Sequence, residues 1–472
     1  MPAGLVPKKT RKRETTKVSK DSVHPSPYTF HAALTKGDIF TRGSALIFGL
    51  GNLVRRQYVK GLIFLGIELM FLWFLIRSGI ACMAGLSKLG PVTEGTQYWD
   101  ESGNYVTLNP TSSVQVLLYG IAWIFLCAGF VLYWITVLRS AYKAQVLASK
   151  GHAPTLIEDL KSMLDTRLHT TLMSLPSLGL LLFTILPLVF MISLAFTDYD
   201  KNHMPAFNWL GLDNFALVFS RTGSLAAGVN VGLFIEVLIW TLVWAFLATF
   251  LNFFLGMFIS MIILRKGTRL KGLWRTIFSM SIAVPQFVSL LVINQMLQPQ
   301  GIVNQMLRQW GWIETSLPFF TNEWWARATV IIVNLWIGIP FTIMQTTAVL
   351  QNIPSELYEA AKIDGASWRK TYIHITMPYI FFVMTPYLIT TFTGNVNNFN
   401  VIYLLSNGAP TPVGASAGKT DLLITWLYKL TVDRNIYNLG AVIGIMTFVV
   451  LALVSLITYR SSGSYKNEEG FR

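Results

Sequence analysis

The chain has 472 residues, of which 53% are hydrophobic and 13% charged, with 31 Phe and 15 Trp. That profile is too apolar for a water-soluble protein of this size and marks an integral membrane protein. The net charge of +14 would suit nucleic acid, but its basic residues gather on one side of the membrane, which sets nucleic-acid binding aside.

A helix needs roughly 20 apolar residues to cross a hydrocarbon core of about 30 Å. Such runs fall near 61–83, 114–137, 171–196, 234–264, 274–297, 327–350, 376–403 and 437–459. An all-α polytopic protein with eight transmembrane helices is predicted. With the N-terminus inside, segments 1–60, 138–170, 265–275, 351–375 and 460–472 share one side and hold most of the 37 Lys and Arg. This asymmetry puts both termini in the cytoplasm.

Residues 1–35 are polar and basic (Lys8, Lys9, Arg11, Lys12, Arg13) and lack the apolar run of a cleavable signal. A disordered cytoplasmic tail touching anionic membrane lipid is expected. Residues 36–60 mix apolar positions with Arg42, Arg55, Arg56 and Lys60, the pattern of an amphipathic helix on the inner surface. The outer loop 84–113 reads as a small hairpin or an irregular lid. The inner loop 138–170, with Pro154, Glu158, Asp159 and Lys161, reads as short surface helices. Cys82 and Cys127 stand apart from any Cys/His cluster, which points to neither a metal site nor a disulfide framework.

Glu68 in span one and Glu236 at the start of span four lie in apolar runs, where a charge is costly. The sequence shows no basic intramembrane partner for either and no second acid in register for a proton relay. Each is read as facing a neighbouring helix or the membrane interface. Span three ends in FTDYD (196–200), and WLGLDNF (209–215) follows after a short outer loop. The basic loop carrying Arg265, Lys266, Arg269 and Lys271 is an inside anchor, and Pro285 within the next apolar run predicts a kink.

Span six carries NLWIGIPFTIM, where Gly338 and Pro340 are expected to interrupt the helix, as backbone lining a membrane cavity does. Span seven contains TTFTGNVNNFNVIYLLSNGAP, with Asn395, Asn397, Asn398 and Asn400 at membrane depth. Buried amides need partners. They donate, accept and carry no charge, which suits the hydroxyls of a neutral sugar. On a continuous helix, Thr391, Asn395 and Asn398 share one face.

Between those two spans a charged stretch, EAAKIDGASWRKTYIHITMP (359–378), stays out of the membrane. Ser355 is placed to cap a short helix, Glu356 and Glu359 fall in its first turns, and Gly365 offers a break. The Glu-Ala-Ala triplet, the Asp364, Gly365, Ala366 triplet, Ile375 and Pro378 together resemble the EAA loop of bacterial ABC-importer permeases. FTDYD and WLGLDNF are similar to a motif pair of sugar-importer permeases, and the amide run resembles the maltose/maltodextrin branch of that family, most strongly from 327 onward.

The resemblance implies a six-helix type I importer core over 171–460, preceded by two accessory spans within 36–170 and followed by a tail at 461–472. It implies that segment 355–372 docks on an ATPase dimer through Glu356, Glu359, Ala360, Ala361, Asp364 and Gly365. Matched position by position, it implies substrate contacts at Ile337, Gly338, Phe341, Thr391, Asn395 and Asn398. Gly394 stands where that branch has a phenylalanine, which implies a roomier site with one stacking wall missing. The partners implied are a second homologous permease, an extracytoplasmic binding protein and an oligosaccharide, with malto-oligosaccharides first, in a bacterial plasma membrane.

No G-x-x-x-x-G-K-[ST] run occurs. The chain is therefore expected to bind no cofactor and to be no enzyme, with ATP hydrolysed by a partner subunit. Two other classes are conceivable. A secondary transporter would call for inverted repeats and coupling-ion sites, and a membrane glycosyltransferase for clustered acids, where the outer loops offer only Asp100, Glu101 and Asp421.

Overall fold

The computed structural model describes residues 28–89, 97–99, 105–107, 112–151, 165, 168–220, 228–265 and 267–461. The expected tails over 1–27 and 462–472, and Pro154, Glu158, Asp159 and Lys161, lie outside the described residues. Seven described helices are long and apolar enough to cross a membrane, and a bent pair makes the eighth span. The chain divides into two compact units, Met1–Ser87 with Gln115–Pro187, and Lys88–Val114 with Leu188–Arg472.

In the first unit, α1 (Phe30–Lys36), α2 (Ile39–Gly43) and α3 (Leu50–Val54) precede the span α4 (Tyr58–Gly85) and the helix α5 (Ser113–Ser149). The expected tail boundary at 35 is displaced, because Ala33 of α1 is fully buried with Leu138 and Tyr142 of α5. Nor is 36–60 one amphipathic helix. Gly49, at φ +79°, lets the chain turn so closely over Gly61 that a Cβ would lie 2.5 Å from the Gly61 carbonyl oxygen. Glu68 holds that turn by accepting from the Phe48 N–H at 2.8 Å.

Asp38 caps α2 through the Thr41 N–H and pairs with Arg55 at 2.5 Å. Partial burial pushes the Asp38 carboxyl up, but the hydrogen bonds from Thr41 and Arg55 outweigh it and hold the group below the usual carboxylate range. α5 does not end at 137. It runs to Ser149, so the inner loop begins as a continuation of the span.

In the second unit, β1 (Gln97–Trp99) and β2 (Tyr105–Thr107) pair antiparallel, which decides the outer loop in favour of a hairpin. The span α6 (Thr171–Leu194) carries the chain from the first unit into the second. Its FTDYD exit is tied down by Asn214, which donates to the carbonyls of Ala195 and Thr197 at 2.9 and 2.7 Å. After α7 (Asp213–Phe219) come α8 (Val231–Leu264), the pair α9 (Lys271–Ala283) and α10 (Gln286–Met296), α11 (Ile302–Gln309) and α12 (Glu323–Gln351). The short helices α13 (Ser355–Ile363) and α14 (Trp368–Thr371) lead through a wide turn into α15 (Met377–Val396) and α16 (Phe399–Leu405). α17 (Leu423–Tyr428) and α18 (Tyr437–Ser461) close the fold.

α8 and α12 pack along matched stripes, with Asn252, Gly256 and Ser260 facing Gly338, Thr342 and Thr346. Both stripes step by four residues, one face of a helix. A Cβ on Gly256 would lie 2.6 Å from Thr342 Cβ, and the hydroxyls of Ser260 and Thr346 are 2.7 Å apart. Small residues let the backbones approach, and the paired hydroxyls leave little polar surface unmatched. A core of Trp240, Trp244, Leu290, Val330, Ile402 and Leu405 packs within the bundle.

Candidate functional site

Between α8, the α9–α10 break, α12 and α15 lies a cavity of about 340 Å³. Its walls include Ile337, Gly338, Phe341, Thr391, Asn395 and Asn398, all six positions expected to meet substrate. The structure brings them together, though not by the helix geometry anticipated.

The first difference lies in α12, which is continuous across Gly338 and Pro340. The expected interruption is absent, and Gly338 serves a different need. A Cβ there would lie 2.5 Å from the Asn252 Nδ2, so the glycine makes room for the amide of the facing helix. The kink expected at Pro285 is present, where α9 and α10 meet at 84° and expose Ser281, Gln286 and Ser289 to the cavity. Proline supplies no N–H to the ladder, and Val284 before it is extended, at ψ 124°.

The second difference lies in span seven. α15 ends at Val396, and Asn398 is the N-cap of α16, its Oδ1 accepting from the Val401 N–H at 3.3 Å. Only Thr391 and Asn395 share a helix face. Asn398 reaches the same cavity from the break. The amides satisfy one another: Asn395 Nδ2 donates to Thr249 Oγ1 at 3.0 Å, and Asn398 Nδ2 to Asn395 Oδ1 at 3.3 Å. Trp244 Nε1 donates to the Asn395 carbonyl at 3.1 Å.

Sequence reasoning missed the opposite wall. Asn252 and Asn334 line the cavity and keep only 8% and 6% of their surface exposed. Asn252 Nδ2 donates to the Ala248 carbonyl at 2.7 Å, while its Oδ1 has no hydrogen-bond partner among the described residues. The signal was available, since both are amides inside apolar runs, as in span seven. With Thr249, Gln286 and Ser289 they make a site of uncharged donors and acceptors, with the aromatic rings of Phe253, Trp336, Phe341 and Tyr387 among its walls. That chemistry fits a neutral polyhydroxyl solute.

At the other end of α12, Asn352 to Pro354 lead into the charged segment. Pro354 rather than Ser355 stands at the N-cap of α13, and no side chain caps that end. Gly365 turns the chain at φ +69°, and Ser367 caps α14. Glu356, Glu359, Ala360, Asp364 and Gly365 are exposed. Ala361 is not available to a partner surface, because it is buried at 8% and its carbonyl accepts from the Ala366 N–H. The apolar knobs that do project, Ile363 at 86% and Trp368 at 73% exposed, escaped the sequence reading.

Glu236 pairs with Lys419 of the loop that precedes α17, a partner 183 residues away. No group of His, Cys, Asp and Glu capable of holding a metal occurs among the described residues.

Residues 252–463 match the family described as binding-protein-dependent transport system inner membrane component. The chain is 34% identical to the galactooligosaccharides transport system permease protein GanP of Bacillus subtilis, over 90% of this chain and 97% of that protein. It is 31% identical to the maltodextrin transport system permease protein MdxF of the same organism, over 93% and 99% of the two chains. Among solved structures, it is similar to a chain of a bacterial alginate ABC transporter in complex with an alginate-bound periplasmic protein. The TM-score is 0.51 at 23% identity, covering 64% of this chain and 96% of that one.

Proposed function

Because this chain belongs to the permease family of binding-protein-dependent sugar-transport systems, we propose that its amide-lined cavity is the point at which an oligosaccharide rests while crossing the membrane. The carrying observation is the convergence of Ile337, Gly338, Phe341, Thr391, Asn395 and Asn398 on one cavity of uncharged polar groups. Phe341 supplies a stacking face for a pyranose ring, and the asparagines match its hydroxyls.

In this reading the chain pairs with a second, homologous permease and receives sugar from an extracytoplasmic binding protein. It docks on an ATPase dimer through the exposed face of α13, with Glu356 or Glu359 paired to a basic group there. Both termini lie in the cytoplasm. ATP is bound and hydrolysed by the partner, and this chain contributes passage and coupling with no bond chemistry of its own. Closure of the ATPase dimer displaces the loop around Gly365, and α12 and α15, which flank that loop, carry the motion to the cavity.

Malto-oligosaccharides and galacto-oligosaccharides are the solute classes favoured, since relatives named for each align over nearly the whole chain. The test is uptake by the complete transporter in proteoliposomes, with maltotriose and a β-galactotriose as competing labelled substrates. Uptake of one that is lost in Asn395→Ala supports the reading. Uptake of neither, or uptake without ATP in the vesicles, refutes it.

A further inference from the structure

A larger cavity, about 1010 Å³, opens between the end of α8 and the segment carrying α13 and α14. α8 contributes Phe258, Met261, Ile262 and, just past its last turn, Arg265, a stripe spaced at i, i+3, i+4 and i+7. At 1.5 Å per residue the stripe spans about 10 Å. It is apolar toward the middle of α8 and ends at a guanidinium where the helix stops. The facing wall includes Trp368 and Tyr372, whose rings stack with centroids 5.8 Å apart at 8°.

The gradient along this cavity indicates its occupant. Phe258 and Ile262 are 56% and 48% exposed, and an apolar space of this size is better filled by hydrocarbon than by water. Trp and Tyr gather at the level of lipid headgroups. Arg265 sits among further exposed cations on the same segments, Arg269, Arg369 and Lys370, and a guanidinium prefers a bidentate anion such as phosphate. A protein helix lying here would have to bring its own acid to Arg265, whereas a membrane supplies anionic headgroups at this depth.

We propose that this cavity holds an acyl chain of an anionic phospholipid, with the phosphate on Arg265 and the tail against Phe258 and Ile262. The lipid would wedge α8 against the very segment that carries the docking loop. The inference rests on the membrane level at which that loop emerges and not on the sugar carried, so a wrong substrate assignment would leave the lipid result unchanged.

The complete transporter, assembled in nanodiscs of phosphatidylcholine with brominated phosphatidylglycerol, should show bromine scattering between Ile262 and Trp368 by electron microscopy. A cavity that is empty, or filled by a helix of the second permease, overturns the proposal. Native mass spectrometry of Arg265→Gln should show phosphatidylglycerol retention reduced about tenfold relative to phosphatidylcholine, the worth of one charge-assisted hydrogen bond. Retention equal to wild type removes Arg265 as the headgroup site. Ile262→Trp, which fills the space, should exclude both lipids.

Discussion

Asn252 and Gly338 meet across the α8–α12 seam, where a Cβ on the glycine would lie 2.5 Å from the asparagine amide nitrogen. The contact joins the close α8–α12 packing to the wall of the amide cavity. Gly338→Ala should therefore push the Asn252 amide into the cavity, at a cost typical of overpacking, about 1–3 kcal/mol. Uptake should fall while the complex still assembles. Asn252→Ala in the same chain should restore part of it, and a single variant with normal uptake would contradict the geometry.

Asn395 holds Thr249 and Asn398 together. Removing its amide takes away the side-chain donor to buried Thr249 and the acceptor of the Asn398 Nδ2, and an unsatisfied buried group costs about 1–3 kcal/mol. Asn395→Ala is expected to lower uptake at least about tenfold, and Asn398→Ala to act similarly with an added loss of the α16 cap. Both are read by sugar uptake normalised to assembled complex, and normal uptake in both would remove the amides from the pathway.

Gly365 sits at φ +69°, and a Cβ added there would meet nothing within 4 Å. A clash inside the chain is therefore not the obstacle to substitution; the backbone conformation is, at roughly 1–2 kcal/mol for a residue with a β-carbon. Gly365→Val should abolish sugar-stimulated ATP hydrolysis by the complex and leave membrane insertion intact. Gly365→Asn, which tolerates the left-handed region better, should keep most of it. Full stimulation in the valine variant would show that the turn does not transmit force.

Asp421 is fully buried and meets Lys429 at 2.8 Å. It also accepts from the Gly418 N–H and the Thr425 hydroxyl, at 2.7 and 2.9 Å. Lys429→Met strands the carboxylate, and breaking a buried pair from one side costs about 3–5 kcal/mol. The variant should unfold at markedly lower temperature, and Lys429→Met with Asp421→Asn should recover most of the loss. Equal thermal stability of the single variant and wild type would discount the pair.

Glu236 is the contrasting case, with its side chain 41% exposed beside Lys419. An ion pair so open to solvent contributes at most about 1 kcal/mol. Glu236→Gln should keep uptake within about twofold of wild type, with no change in its pH dependence. A collapse of uptake would revive a proton-carrying role for this acid.

The number of spans, the polar break at 359–378 and the residue types of one cavity wall are legible in the chain without its fold. They follow from local constraints: a membrane imposes a minimum apolar length on each helix, and charge that cannot enter lipid must stay outside it. Which of the two expected proline breaks forms was settled by packing, because proline bends a chain only where its surroundings permit. Pro285 breaks its span at 84°, whereas α12 runs unbroken through Pro340. Folding also supplied Lys419 for Glu236 and set Asn252 opposite Gly338, pairings between residues 183 and 86 positions apart in the chain that no local pattern encodes.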